Sequence, residues 1–190
     1  YGEFMGETRY AQVDDQGRWD ITFSAHKYTA EAQTMKIYPK NGQVTEFTDI
    51  LIGDVWVVSG QSNAELHMEV TMSYNPEFAD EIKESDNIRI YYQGLEDVYA
   101  NEDKWETPQE DVLNEEYCWQ KASYDNVMKT SAIGYYFAKE VSKHTDIPLG
   151  IVMMAAGGYP LKQFMPSDLI SQLGIPHGSS IYNTMMYPFA

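Results

Sequence analysis

Asp54-Val55-Trp56-Val57-Val58-Ser59-Gly60-Gln61-Ser62-Asn63 is the stretch on which the reading of this chain turns. Residues 55–58 are apolar without a break, β-branched or aromatic, and lack the alternation of a half-exposed strand. Such a run suits a strand buried on both faces of a parallel sheet. Ligands of open α/β sheets bind at the carboxyl ends of the strands. Ser62, just after a glycine that permits a tight turn, is therefore expected to face outward at that end. If a helix follows, the N–H groups of Ser62 and Asn63 point into the same space and can hold a developing oxyanion. From these residues alone, an ordinary strand-to-helix turn is the favoured alternative.

Downstream, the pattern continues as alternating strands and helices. Pro76 to Glu84 reads as a short helix opened by proline, and Asn87 to Tyr92 as a strand. Thr130 to His144 is the best helix, with Ile133, Phe137 and Val141 as its apolar stripe and Thr130 or Ser131 as its cap. Pro148 to Ala156 is a third buried strand, followed by Gly157-Gly158, and Ser180 to Met186 begins another helix. Between them, residues 94–116 are acidic, poor in aliphatics, and read as a long surface excursion. This alternation predicts an α/β sheet with crossover helices.

Upstream of residue 51 the pattern is antiparallel β. Trp19, Ile21 and Phe23 alternate on one face, and Thr34 to Tyr38 and Val44 to Phe47 flank the turn Pro39-Lys40-Asn41-Gly42. So few strands cannot close a sandwich. Residues 1–50 are read as the C-terminal part of a β-rich, sandwich-like domain, and 51–190 as the N-terminal part of the α/β domain.

Composition narrows the function classes. A formal net charge of −16 repels phosphate backbones, so nucleic acid is not an expected partner, whereas a neutral glycan is compatible. No run of about 18 apolar residues predicts a membrane span. The single cysteine, Cys118, does not decide the compartment, and no Cys/His cluster has metal-ligand spacing. No metal or other cofactor is expected. The start at Tyr1, with no leader visible, reads as a cut N-terminus and leaves localisation unassigned.

The block Gly53-Asp-Val-Trp-Val-Val-Ser-Gly-Gln-Ser-Asn63 resembles the first block of the sialate O-acetylesterase group of the SGNH hydrolases, which usually reads G-D-V-W-…-G-Q-S-N-M-E. Ala64 replaces the usual methionine, and His67 stands where proline is common. Three further stretches are similar to that group in order: Thr130 to Ala138, Ile147 to Gly158 with its double glycine, and Ile181 to Pro188. Residues 10–53 resemble the β-region before the catalytic domain. The resemblance implies a three-layer α/β/α, flavodoxin-like SGNH hydrolase fold, here incomplete. It implies Ser62 as nucleophile toward an acetyl ester, with the N–H of Ser62 and of Gly158 or Gly157 as oxyanion hole. Gln61 and Asn63 would support the loop, and the substrate would be an acetylated carbohydrate: a sialic acid, or a plant glycan such as xylan or mannan.

The resemblance also implies a base, a histidine with aspartate three residues before it. The chain has four histidines, and the residues three before them are Phe23, Ala64, Val141 and Gly174. The third block, similar to Y-Q-G-E-S-N, is also missing. The base is therefore expected beyond Ala190, and the chain alone to be inactive. The partner would be that missing C-terminal portion, or a second copy through an exposed apolar sheet edge. Two rival readings are a carbohydrate-binding or scaffolding module, and a non-catalytic domain whose Gly-Gln-Ser-Asn turn binds an anion. Against the first, Trp19 and Trp56 sit in strand patterns and are expected in the core.

Overall fold

The computed structural model describes residues 1–114 and 116–190, and the chain divides into two compact units, 1–54 with 146–148 and 55–145 with 149–190. In the first unit, strands β1 (Gly2–Phe4), β2 (Glu7–Arg9), β3 (Thr29–Ile37) and β4 (Thr45–Ile52) form an antiparallel sheet in the order β2-β1-β3-β4. Met5 and Gly6, both with positive φ (47° and 79°), make the two-residue turn between β1 and β2. Gly2 lies against Ile37, Ile21 and Phe23, so close that a methyl there would stand 3.0–3.2 Å from their side chains. The expected strand over residues 18–23 does not form. Ile21 and Phe23 still turn inward, but Trp19 is 51% exposed, because an irregular segment need not keep its alternate residues on one face.

The second unit holds a four-stranded sheet of β5 (Asp54–Gly60), β6 (Ser85–Tyr92), β7 (Gln120–Ala122) and β8 (Leu149–Ala155), in the order β5-β8-β6-β7. β6 and β8 are parallel, in register from Ile88↔Leu149 to Tyr92↔Met153. β5 runs the same way beside β8: Asp54 N donates to Pro148 O at the start and Ala156 N to Gly60 O at the end, both at 2.9 Å. The short β7 closes the other edge antiparallel to β6.

The pleat of β8 sorts the core. Leu149 and Ile151 join Ile88 and Ile90 on one face, under Met68 and Met72 of α2 (Met68–Tyr74), Val127 of α4 (Tyr124–Met128) and Ala132, Tyr135 and Ala138 of α5 (Ala132–Val141). Val152 and Met154 face the other way with Tyr91, against Val112, Tyr117 and Met186. Beyond the strand end, Ala156 packs with Val98 of α3 (Leu95–Ala100) and with Ile181 and Met185. The excursion at 94–116 is thus partly structured, with Val98 fully buried; Glu115 within it lies outside the described residues. The expected helix from Ser180 becomes a π-helical turn at Tyr182–Met186, whose Asn183 is buried and donates from Nδ2 to Trp105 O at 2.7 Å.

Two expectations about faces change. The α5 helix forms, and Ser131 caps it by accepting from Gly134 N at 3.2 Å, but its stripe of Ile133 and Phe137 is exposed (56% and 37%). The buried face is Ala132, Gly134, Tyr135 and Ala138: the helix comes closest to the sheet at Gly134, and Tyr135 reaches the Lys83 backbone with its hydroxyl. A methyl on Gly134 would stand 2.9 Å from Val58 Cγ2 and 3.1 Å from Ile151 Cγ2. Likewise β5 is not buried on both faces. Val55, Trp56 and Val57 are 61%, 47% and 52% exposed, because β5 is the edge strand of the sheet.

Candidate active site

The nucleophile candidate is built at the end of β5. Gly60 turns with φ +142°, and a Cβ there would come within 3.2 Å of Ala64 Cβ. Gln61 is extended, and its carbonyl accepts from Ala64 N (2.9 Å) and Glu65 N (3.0 Å), so a single helical turn, α1 (Ser62–Glu65), starts at Ser62. Ser62 and Asn63 are exposed. Ser62 Oγ makes no hydrogen bond to any of the described residues.

The facing wall comes from β8. All seven of its residues are buried, and the chain leaves the sheet through Ala156 into Gly157 and Gly158, the latter with φ +81°. Gly157 lies against the serine: a methyl on it would stand 3.2 Å from Ser62 Oγ and 3.6 Å from Ser62 Cα. Of the two expected glycines, Gly157 is thus brought beside Ser62, while the open side of Gly158 faces no atom within 4 Å.

The two turns are also tied by side chains. Gln61 Nε2 donates to Tyr159 O. Gly157 N donates to Glu65 Oε2 at 2.5 Å. Gln61 thus has a contact that fits a supporting role, while Asn63 has no side-chain hydrogen bond within the described residues. Glu65 was not singled out from the sequence. Its signal there is its place one helical turn after Gln61, at the last letter of the G-Q-S-N-M-E pattern, and its partner lies 92 residues away.

None of the four histidines is bonded to Ser62. His67 sits at the start of α2, where residues 66–68 bridge to 130–132 through Met68 N to Thr130 O and Ala132 N to Leu66 O, both at 2.9 Å. Its ring stands edge-on to Tyr92, centroids 5.5 Å apart, and its Nδ1 is 4.0 Å from Glu69 Oε1. His144 is on the surface beside Glu140 (3.6 Å), His177 is exposed, and His26 packs on Phe4 in the other unit. No group of three potential metal ligands occurs among the described residues, and no helix among them is long and apolar enough to cross a membrane.

Tyrosines surround the strand ends. Burial, reinforced by the carboxylates of Glu96, Glu65, Glu69 and Asp97, pushes the Tyr92 phenol up to about 12. Burial and a hydrogen bond with Tyr99 push Tyr159 up to about 12 as well. Burial raises Tyr117 too, aided by the bond its hydroxyl donates to Asp97 Oδ2. The folded chain thus prefers the neutral phenols, whose unfolded ionisation lies at about 10. The resulting stability is fully present below about pH 10 and is lost as pH rises toward about 12. Urea unfolding of the chain is expected to show a midpoint that falls across that window, and less steeply in Tyr92→Phe. A midpoint flat through that range would contradict the assignment.

This mixed α/β unit has the fold of the SGNH-like carbohydrate esterases. The chain belongs to the carbohydrate esterases described as sialic acid-specific acetylesterases, whose family model matches residues 52–188. It is 26% identical over 146 residues to the sialate O-acetylesterases of Pongo abelii and Homo sapiens, and 25% identical over 134 residues to that of Rattus norvegicus. The first two alignments cover 74% of this chain and 26% of each relative; the third covers 68% and 23%. The chain thus spans about a quarter of the length of these relatives. Among solved structures, a carbohydrate acetylesterase from Xanthomonas citri superposes with a TM-score of 0.79 at 24% identity, over 98% of this chain and 41% of that one. That likeness is one of fold.

Proposed function

We propose that this chain carries the nucleophile half of a serine carbohydrate O-acetylesterase, with Ser62 attacking the acetyl carbonyl and the base supplied by residues beyond the chain. The observation that carries this reading is the exposed Ser62 hydroxyl at the carboxyl end of β5, set directly against Gly157. In the proposed reaction the Ser62 oxygen bonds to the acetyl carbon while its proton passes to the base. In this reading the carbonyl oxygen gains the negative charge, which the N–H groups of Ser62 and of the glycine turn receive. Collapse expels the sugar oxygen, which takes the proton back, and leaves acetyl-Ser62. Water, deprotonated by the same base, then releases acetate.

The open β5 edge supports the same reading. A strand with an unpaired edge and exposed apolar residues on both faces suits the addition of another strand and its covering helices.

A fluorophosphonate probe tests the assignment in a polypeptide of the relatives' length that contains this chain. Labelling is expected at Ser62 and is abolished by Ser62→Ala. Labelling elsewhere, or acetylated-glycan binding that survives Ser62→Ala with no hydrolysis by either protein, would replace the esterase by a binding module.

A further inference from the structure

We propose that Gln61 and Glu65 act as a two-point clamp that selects Gly158, rather than Gly157, as the glycine whose N–H faces the substrate, with Glu65 a positioning residue for the hydrolysis. This rests on the esterase reading above. Gln61 stands extended just before α1 and Glu65 is the last residue of that turn, and both side chains reach the turn after β8. They grip the turn after β8 with opposite polarity. Gln61 donates from Nε2 to the carbonyl of Tyr159, and Glu65 accepts at Oε2 from the N–H of Gly157, at 2.5 Å. The residue between the two gripped positions is Gly158.

The consequence for the amides is direct. The Gly157 N–H is spent on a carboxylate and cannot also meet an oxyanion. Moreover, an oxyanion beside the Glu65 oxygens would face a like charge. The Gly158 N–H has no acceptor among the described residues. A Cβ on Gly158 would meet nothing within 4 Å, so that side of the turn is open to an incoming acetyl group. Its φ of +81° is the left-handed conformation that glycine holds without strain. Gly157 differs: a methyl there would stand 2.5 Å from Glu65 Oε2 and 3.2 Å from Ser62 Oγ, so its missing side chain is what lets α1 and the turn approach. The two glycines thus divide the work, Gly157 for contact between the turns and Gly158 for the ligand.

The clamp is tested with Glu65→Ala, which removes the acceptor, and Glu65→Gln, which keeps an amide oxygen in the same place. In the 190-residue chain, hydrogen exchange of the Gly157 amide is expected to speed up roughly 10- to 100-fold in Glu65→Ala, as a lost charge-assisted bond implies. In Glu65→Gln it should speed up less. In the longer polypeptide, Glu65→Ala is expected to lower kcat roughly 10- to 100-fold at unchanged KM, with Glu65→Gln recovering most of the loss. Should Glu65→Ala not fold, Glu65→Gln carries the test, with Gly157 exchange faster than in wild type and kcat lower. Unchanged Gly157 exchange in both variants, or faster exchange with full kcat, overturns the clamp and leaves the esterase reading standing. Absence of any Ser62-dependent turnover overturns the esterase reading, and the positioning role with it.

Discussion

Ser62→Ala is expected to cut acetyl-ester turnover by roughly 10⁴- to 10⁶-fold in a polypeptide that carries this chain together with the proposed base. The size follows from what the serine does. Without it no acetyl-enzyme can form, and what remains is the electrostatic help of the glycine turn to a water attack. The same reasoning fixes the behaviour of the 190-residue chain by itself. A serine hydroxyl is a weak nucleophile until something takes its proton, and Ser62 Oγ has no hydrogen-bond partner among the described residues. Hydrolysis of 4-nitrophenyl acetate by the chain is therefore expected near the uncatalysed rate, and Ser62→Ala should leave that rate unchanged. Rapid turnover by the chain, abolished by Ser62→Ala, would show that a base is already present in it and would overturn that part of the reading.

The second large effect concerns stability. Gly134 lies in the buried face of α5, where a first added carbon already meets Val58 Cγ2 at 2.9 Å and Ile151 Cγ2 at 3.1 Å. Gly134→Val adds two further carbons in that direction and must push the helix off the sheet or force β5 and β8 apart. Overpacking of this kind costs about 1–3 kcal/mol, and the upper part of that range is expected here because both neighbours are branched side chains on strands. The thermal midpoint should fall by about 4–12 °C on the scale of a domain this size. Gly134→Ala is the control. It gains up to about 1 kcal/mol of helix propensity against a smaller clash, so it should be markedly milder. Tryptophan fluorescence reads the difference, since Trp56 stacks edge-on against Phe137 of the same helix at 5.0 Å. A Gly134→Val chain as stable as the parent would mean that α5 does not pack this closely.

The same helix shows what a sequence can and cannot disclose. Its presence and its start follow from local chemistry that acts within one turn and were legible, with the cap narrowed to Thr130 or Ser131, although the helix ends at Val141 rather than His144. Which face is buried is a property of the distance to the sheet. Close approach replaces large apolar side chains by Ala and Gly, and that inverts the stripe a periodicity reading looks for. The apolar run at residues 55–58 was legible as a strand for a similar local reason, since β-branched and aromatic residues favour extended backbone. That it ends the sheet was not, because strand order is a matter of tertiary pairing. The turns at Ser62 and the double glycine could be read because glycine at a strand end marks a turn in any context, while singling them out together rested on the resemblance to the esterase blocks. The role of Glu65 could not, because its meaning comes from an amide 92 residues further along. β7 is only three residues long and left no pattern to read.

The place of β5 at the rim of its sheet bears on how such a chain could be switched on. The proposed nucleophile, Ser62, follows two residues after the end of this strand, and the outer side of the strand pairs with no other strand among the described residues. A polypeptide that docked there in parallel would run past Ser62 and end beside it. Folding of the next segment and arming of the serine would then be a single event.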